Sequence, residues 1–247
     1  SANPGSYLAL VMPDGVTVAD AFASYPAQYA DVSYGTSGTG DGYLLTPTPG
    51  AANAGLRPLP PMLSPTSKFF ANANTVTMSN PGGTGTIRFT TNGATPTLSN
   101  SFTYSTPLSF TATAVLTAAV YANGQWSPPV THRYVRLAAD VQGFNSNLPL
   151  VVVHTYGTAI PEDPQVLSAA TIIDTTAGRA TITDPPAYIG LAGIKLRGSS
   201  SLSFPKKQYA FEIWDHNRDD ESAAFLGLPS EADWILYGPY TDKTLMR

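Results

Sequence analysis

Residues 193–213, GIKLRGSSSLSFPKKQYAFEI, join two strand-like flanks through a run of small hydroxyl residues. The flanks, residues 193–197 and 206–213, are rich in side chains that favour β-strands, and the Ser-rich run between them is typical of a loop. The stretch therefore predicts two neighbouring strands that meet at a Ser-rich hairpin loop. Basic side chains also surround this loop, although only 12% of the chain is charged.

The composition extends this β prediction to the whole chain. Its 247 residues exceed the roughly 100–200 of one domain, so we expect two or more units. The 22 prolines and 21 glycines favour short-stranded β modules joined by turns over a helical protein. A hydrophobic content of 43% excludes an intrinsically disordered chain.

Charge and cysteine usage exclude several classes of function. The net charge of −4 gives no global attraction to nucleic acid or to anionic lipid, and no apolar run approaches the length of a membrane span. The absence of cysteine excludes disulfides and thiolate metal sites. The low-charge surface, rich in Thr, Ser, Asn and Gly, favours an extracellular or cell-surface location. Most charges follow Thr131, so we expect any chemistry in the later part of the chain.

Residues 1–55 predict a hairpin and a further short strand. The hairpin comprises Tyr7–Met12, a Pro-Asp-Gly turn and Val16–Phe22. The motifs YLALVMPDGVTV, ADVSYG and TPTPGAAN resemble the closing strands of the lamin-tail domain, an Ig-like sandwich. This resemblance implies that the chain is a fragment that begins after the first strands of that sandwich. We expect the exposed strand edges to pair with a second copy or with other surface proteins.

Residues 56–67 read as a Pro-rich linker, and residues 68–137 contain five strand-like runs divided by Gly and Pro. Three motifs in this part, taken in order, resemble the chitobiase/hexosaminidase C-terminal module: IRFTTNGATPT, PLSF and AVLTAAVYANGQWSPPVTHRY. That resemblance implies a small Ig-like β-sandwich that serves mostly as a spacer, and glycan binding by this module is the alternative.

Residues 138–247 change in character. LPLVVV predicts a buried strand, and LSAATII and RATITD predict further strands. Ser230 with Asp233 forms a capping-box pattern, and DKTLMR, residues 242–247, predicts the start of a helix. The blocks RGSSS…PKK and LGLP…DW…DKTLMR resemble the N-terminal part of the CotH family, which has an atypical protein-kinase-like fold. The resemblance implies a secreted protein that phosphorylates partners with ATP and Mg or Mn. The acidic ligands of such kinases are expected beyond Arg247, so we expect neither a cofactor nor activity within these residues alone.

The basic loop has two interpretations. Phosphoryl transfer needs cations and hydroxyl donors beside the phosphates, and the loop supplies both. The candidate nucleotide-binding residues are Arg197, Ser199, Ser200, Lys206 and Lys207. The alternative is a surface hairpin whose cations pair with nearby carboxylates. Because adjacent strand residues point to opposite faces, the two lysines cannot both serve one site from a regular strand.

A weaker metal hypothesis concerns DHNRDDES, residues 215–222. Its oxygen-bearing side chains alternate as in calcium loops: Asp215, Asn217, Asp219 and Glu221. Asp220 stands where such loops require Gly, which favours a solvated hairpin tip instead. The histidines lie far apart in sequence, and strand-like surroundings favour packing roles for the tryptophans over a sugar-stacking face.

Together these patterns predict a mainly β protein: tandem Ig-like β-sandwich modules followed by the incomplete, β-rich N-terminal part of an α+β CotH-like domain. The predicted function is structural presentation or assembly at the cell surface. A secreted atypical kinase and a carbohydrate-binding module are the alternatives.

Overall fold

The structure is a computed structural model that describes residue 5 and residues 7–29, 31–175, 178–215 and 218–241. These residues form many short strands and one 3₁₀ helix, Ser200–Ser203. The strands of the first part are β1 (Leu8–Val11), β2 (Val18–Phe22), β3 (Tyr34–Ser37), β4 (Gly40–Thr46) and β5 (Ala54–Leu56). Those of the middle part are β6 (Met62–Ser64), β7 (Lys68–Phe70), β8 (Asn74–Ser79), β9 (Thr86–Thr90), β10 (Phe102–Thr103), β11 (Leu108–Phe110), β12 (Ala114–Ala122), β13 (Gln125–Trp126) and β14 (Val130–Arg136). Those of the late part are β15 (Asn145–Ser146), β16 (Leu150–His154), β17 (Val166–Ile173), β18 (Ala180–Thr181), β19 (Tyr188–Arg197), β20 (Gln208–Trp214) and β21 (Asp233–Leu236).

The first part contains the predicted hairpin. Strands β1 and β2 pair antiparallel, and the Asp14 carboxylate closes their turn by accepting hydrogen bonds from the Val16 and Thr17 amides at 2.9 and 2.8 Å. The described residues give this hairpin no third strand. A separate small sheet, β3-β4-β5, buries Tyr43 and Leu44.

The middle part is the predicted β-sandwich. One sheet has the order β10-β9-β12-β14-β7, with β13 paired to β12, and the other has the order β11-β8-β6. Alternate residues of β8 are buried, as expected for a strand with one face on a core. Val76 from one sheet and Leu116 and Tyr134 from the other are fully buried in this core. Strand β6 lies within the Pro-rich residues 56–67, so the sandwich extends into that stretch.

The late part is a five-stranded antiparallel sheet with the order β16-β17-β19-β20-β21, which we call the late sheet. One face buries Ile172, Ile194, Phe211 and Ile213 under Phe225. The strand predicted in LPLVVV is confirmed as β16, but its predicted burial is wrong. Because β16 is an edge strand with one neighbour, Leu150 alone among its side chains is buried, and the buried strand is β17.

Two further local predictions need correction. The capping box at Ser230 and Asp233 is wrong because Asp233 begins β21 and pairs with Glu212 instead of starting a helix. The strand predicted in RATITD shrinks to Ala180–Thr181, since a turn follows it in which the Asp184 amide donates to the Thr181 carbonyl. The helix predicted from residue 242 lies outside the described residues.

The sandwich and the late sheet meet at an apolar joint. Phe69 on β7 packs against Leu137, Leu150 and Ile173, which belong to the connector and the late sheet. Two backbone carbonyls of the sandwich edge also accept hydrogen bonds from the connector. The Phe70 carbonyl accepts from the Leu137 backbone amide at 2.8 Å, and the Ala71 carbonyl accepts from the Gln142 side-chain Nε2 at 3.2 Å. The sandwich and the late sheet are therefore joined by side-chain packing and hydrogen bonds as well as by the chain itself. None of the described helical residues forms a segment long and apolar enough to span a membrane.

Candidate functional site

The Ser-rich loop joins β19 and β20, which are neighbouring strands of the late sheet. Arg197 at the end of β19 pairs with Gln208 at the start of β20, and the hairpin predicted from the sequence is confirmed. The second strand begins at Gln208, so the predicted start at Lys206 is wrong by two residues. Both lysines lie in the loop, and the argument from strand alternation no longer separates them.

Gly198 and the 3₁₀ helix give the loop its shape. Gly198 has a φ of 126°, and a Cβ atom there would lie 2.0 Å from the Ser201 hydroxyl oxygen, so only glycine fits. The helical turn is closed by the Leu202 amide, which donates to the Ser199 carbonyl at 3.1 Å. The Ser203 hydroxyl donates to the Ser200 carbonyl at 2.8 Å. The serines thus form an ordered turn.

The candidate cations have different surroundings. The Lys207 ammonium donates to the Leu202 carbonyl and so ties the loop to the start of β20. Arg197 and Lys206 are exposed, as are Ser199 and Ser200. Four of the five candidate residues therefore face solvent, whereas Lys207 has a structural contact. Their predicted nucleotide role stays a prediction.

Residues 237–240 pack beneath this loop. The rings of Phe204 and Tyr240 stack with centroids 5.2 Å apart. A Cβ atom at Gly238 would lie 2.4 Å from the Lys207 carbonyl oxygen, so a glycine is needed at this close approach. The contact brings together the two sequence blocks that carried the family resemblance.

The acidic turn after β20 is closed by its own backbone and side chains. The Asp215 amide donates to the Asp219 carbonyl at 2.9 Å, and the Asp215 carboxylate accepts from the Asp219 amide at 3.0 Å. Glu221 is half-buried, and Asn217 lies outside the described residues. Within the described ranges no three His, Cys, Asp or Glu side chains are grouped to hold a metal ion. The calcium-type pattern therefore stays a prediction from the sequence.

A different set of carboxylates comes together on the late sheet. Burial raises the pKa of Glu212, and a hydrogen bond with Asp220 and the charges of Asp220 and Asp233 raise it further. The Trp214 indole, which donates to Glu212 at 2.9 Å, opposes this shift. The sequence pattern missed this group because Asp233 arrives from β21, through a register that spacing alone does not give.

The two described histidines have separate partners. His132 lies on β14, where its Nδ1 accepts a hydrogen bond from the Ser67 amide at 3.3 Å. His154 ends β16, and its Nδ1 accepts from the Tyr156 amide at 3.2 Å. Burial lowers the pKa of both imidazoles, with the charge of Arg133 adding to the shift at His132. His216 lies outside the described residues.

Two family models match parts of the chain. Residues 65–132, most of the sandwich, match the chitobiase/beta-hexosaminidase C-terminal domain. Residues 194–247, which contain the Ser-rich loop, the acidic turn and β21, match the CotH kinase protein family. The late part of the chain is similar to CotH kinase proteins. No curated protein and no solved structure matches the chain.

These matches confirm two of the three resemblances. The chitobiase-type module precedes a CotH-like segment, in the order that the sequence predicted. The CotH match begins at the centre of β19, so it covers the Ser-rich loop and leaves β16 and β17 outside. The lamin-tail resemblance of residues 1–55 has no matching family model and stays a prediction.

Proposed function

We propose that the protein is a modular extracellular or cell-surface protein, in which the sandwich holds the CotH-like segment in a fixed position for presentation or assembly. The observation that carries this proposal is the apolar joint. A flexible spacer would leave Phe69 exposed, whereas here it packs against Leu137, Leu150 and Ile173. A packed joint fixes the orientation of what it carries, and this is what a presenting module needs.

Assembly is proposed to proceed through the β1–β2 hairpin. Its apolar side chains are exposed, with Leu10 at 67% and Val16 at 82% of full accessibility. Each strand also has an outer edge that no other described strand covers. Exposed apolar strands with unpaired edges recruit further strands, and a second copy of the chain offers a matching one.

The surface location is tested by protease treatment of intact source cells, followed by mass spectrometry of the released peptides. We expect peptides from the hairpin and the Ser-rich loop to be released while a cytoplasmic marker stays intact. Release of these peptides only after cell lysis would contradict the proposed location.

The second candidate function is phosphorylation of surface proteins with ATP. It is favoured by the CotH match over the Ser-rich loop and by the exposure of Arg197, Lys206 and the Ser199–Ser200 hydroxyls there. Exposed cations beside hydroxyl donors suit the phosphates of a nucleotide. Magnesium or manganese would accompany the nucleotide and supply charge neutralisation.

This candidate is tested by labelled ATP with magnesium or manganese and a Ser-rich acceptor, and by nucleotide binding at equilibrium. We expect Lys206→Ala to weaken nucleotide binding about tenfold through the loss of one charge-assisted contact. Lys195→Ala is the matched control, because Lys195 lies on β19 and already pairs with Asp163 at 2.9 Å. Absence of both transfer and binding, or equal binding in Lys206→Ala and the wild type, would exclude this candidate.

Glycan binding by the sandwich is the third candidate. The Tyr121 and Trp126 rings contact each other with centroids 4.7 Å apart, and both are partly exposed, as in aromatic surfaces that stack on sugars. The test is retention on a chitin column. Retention that Trp126→Ala abolishes would support this role, and passage of the wild type without delay would exclude chitin as the ligand.

A further inference from the structure

A second basic cluster lies between the sandwich and the late sheet. Arg133 of β14 and Arg218, which follows β20, both line a pocket of about 620 Å³. None of the pocket residues belongs to the Ser-rich loop, so this cluster is separate from the candidate nucleotide residues. We call it the Arg133 pocket.

Arg133 enters the pocket because of strand alternation. Its neighbour Tyr134 faces the sandwich core, so Arg133 projects from the opposite face of β14, towards the late sheet. The Nε atom of Arg133 is fully buried and has no hydrogen-bond partner. Burial lowers the pKa of the Arg133 guanidinium, and the charge of Arg218 lowers it further, while Tyr156 opposes the shift. A buried guanidinium N–H without a hydrogen-bond partner is costly, and an acceptor bound in the pocket would remove this cost.

Tyr156 lies beside Arg133 in the pocket. Its hydroxyl is buried without a hydrogen-bond partner of good geometry. Burial raises the pKa of Tyr156, and the nearby Arg133 guanidinium opposes this shift, so the hydroxyl keeps its proton and can donate it in a hydrogen bond. Tyr156 has a φ of 54°, and the turn that imposes this is closed by the Thr158 amide donating to the Thr155 carbonyl at 3.0 Å. Positive φ is unfavourable for a bulky residue, and residues held in such conformations cluster at ligand-binding and other functional sites.

The charge balance of the pocket completes the argument. Among its described lining residues there is no carboxylate, so no lining side chain carries a negative charge. The positive charge of Arg218 acts on Arg133 across the pocket, in a chain whose net charge is −4. The polar side chains of Asn92, Thr155 and Gln165 also line the pocket. Its volume lies within the roughly 300–1,000 Å³ of small-molecule sites.

We propose that the Arg133 pocket binds a small polar molecule through a carboxylate or phosphate group. The guanidinium of Arg133 donates from Nε and a terminal nitrogen in the fork geometry that suits both oxyanions. The Tyr156 hydroxyl donates to the same group, and Arg218 adds charge from the other side of the pocket. The ligand would bridge the sandwich and the late sheet.

The test is an NMR titration of the whole protein that follows the Nε–H signal of Arg133. The probes are inorganic phosphate, glucuronate and, as the neutral control, glucose. We expect a saturable shift with phosphate or glucuronate and none with glucose. A shift with phosphate alone assigns a phosphorylated ligand, and one with glucuronate alone assigns an acidic sugar. No saturable shift with either anion, or an equal shift with glucose, would overturn the proposal.

Variants separate a binding role from a structural one. Tyr156→Phe removes one hydroxyl and should weaken anion binding severalfold, and Arg133→Met should weaken it at least about tenfold. Arg136→Gln, an exposed arginine on the same strand, is the matched control and should bind like the wild type. If Arg133 serves binding, Arg133→Met should not lower the melting temperature of the unliganded protein. Unchanged anion affinity in both Tyr156→Phe and Arg133→Met would refute the site.

Discussion

The sandwich and the β1–β2 hairpin both present apolar side chains on short strands, yet they bury them to opposite extents. Leu116 and Val120 of the sandwich have no exposed surface, whereas Leu10 and Val18 of the hairpin strands are 67% and 49% exposed. The difference lies in what covers each sheet. Two sheets face each other in the sandwich, while the hairpin pairs with no third described strand and contacts β3 through the rings of Phe22 and Tyr34. The hairpin thus keeps an apolar surface that the sandwich has already used for its own stability.

The largest expected effect contrasts one leucine from each region. Leu116→Ala removes a fully buried side chain and should lower the free energy of unfolding by about 2–5 kcal/mol. Leu10→Ala, the matched substitution in the hairpin, should change it by less than about 0.5 kcal/mol. Denaturation monitored by tryptophan fluorescence measures both. Similar losses in the two variants would remove the contrast between the regions.

The next effect concerns the joint between the sandwich and the late sheet. Phe69→Ala should cost about 2 kcal/mol, less than a fully buried phenylalanine, because Phe69 is only partly buried. Calorimetry should show one unfolding transition in the wild type and two in the variant, since the bodies lose their shared packing. Phe102→Ala, at 65% exposure, is the control and should keep one transition. One unchanged transition in Phe69→Ala would mean that the joint does not couple the bodies.

A smaller effect is expected in how the stability of the folded protein depends on pH. Because the pKa of folded His132 is lowered, the unfolded chain binds a proton near pH 6.5 while the folded chain does not. Protons therefore favour the unfolded state, and stability should fall as the pH drops from about 7 to about 5.5. The denaturation midpoint measured across this window should fall less in His132→Gln than in the wild type.

The same window separates the contributions of the two histidines. Burial also lowers the pKa of His154, so its slope has the same sign. His132→Gln with His154→Gln should therefore flatten the curve further than either change alone. An identical slope in the double variant and the wild type would show that these imidazoles do not set it.

Local patterns predicted much of the fold. Turn chemistry placed the Pro-Asp-Gly hairpin, and apolar alternation placed the sandwich and the pairing around the Ser-rich loop. The burial of β16 and the capping box at Ser230 were wrong because an apolar run does not reveal its place in a sheet, and a capping pattern also fits a strand start. Position in a sheet is a tertiary property that local spacing does not encode.

The candidate sites also differ in whether local sequence reveals them. The Ser-rich loop was found because its residues are contiguous and carry a family resemblance. Arg133 and Arg218 lie far apart in sequence and meet only through the packing of the late sheet on the sandwich. No spacing rule joins them, and the unpaired Arg133 Nε becomes visible only once the burial of each atom is known.

The central claim, that the hairpin is an assembly surface, is tested by size-exclusion chromatography with light scattering over a concentration series. The account predicts a mass that rises above the 26.0 kDa of one chain as concentration increases. Leu10→Lys on β1 with Val18→Lys on β2 should keep the mass at one chain, because charged side chains on exposed strands oppose further pairing. A wild-type protein that remains a monodisperse monomer at high concentration would contradict the claim.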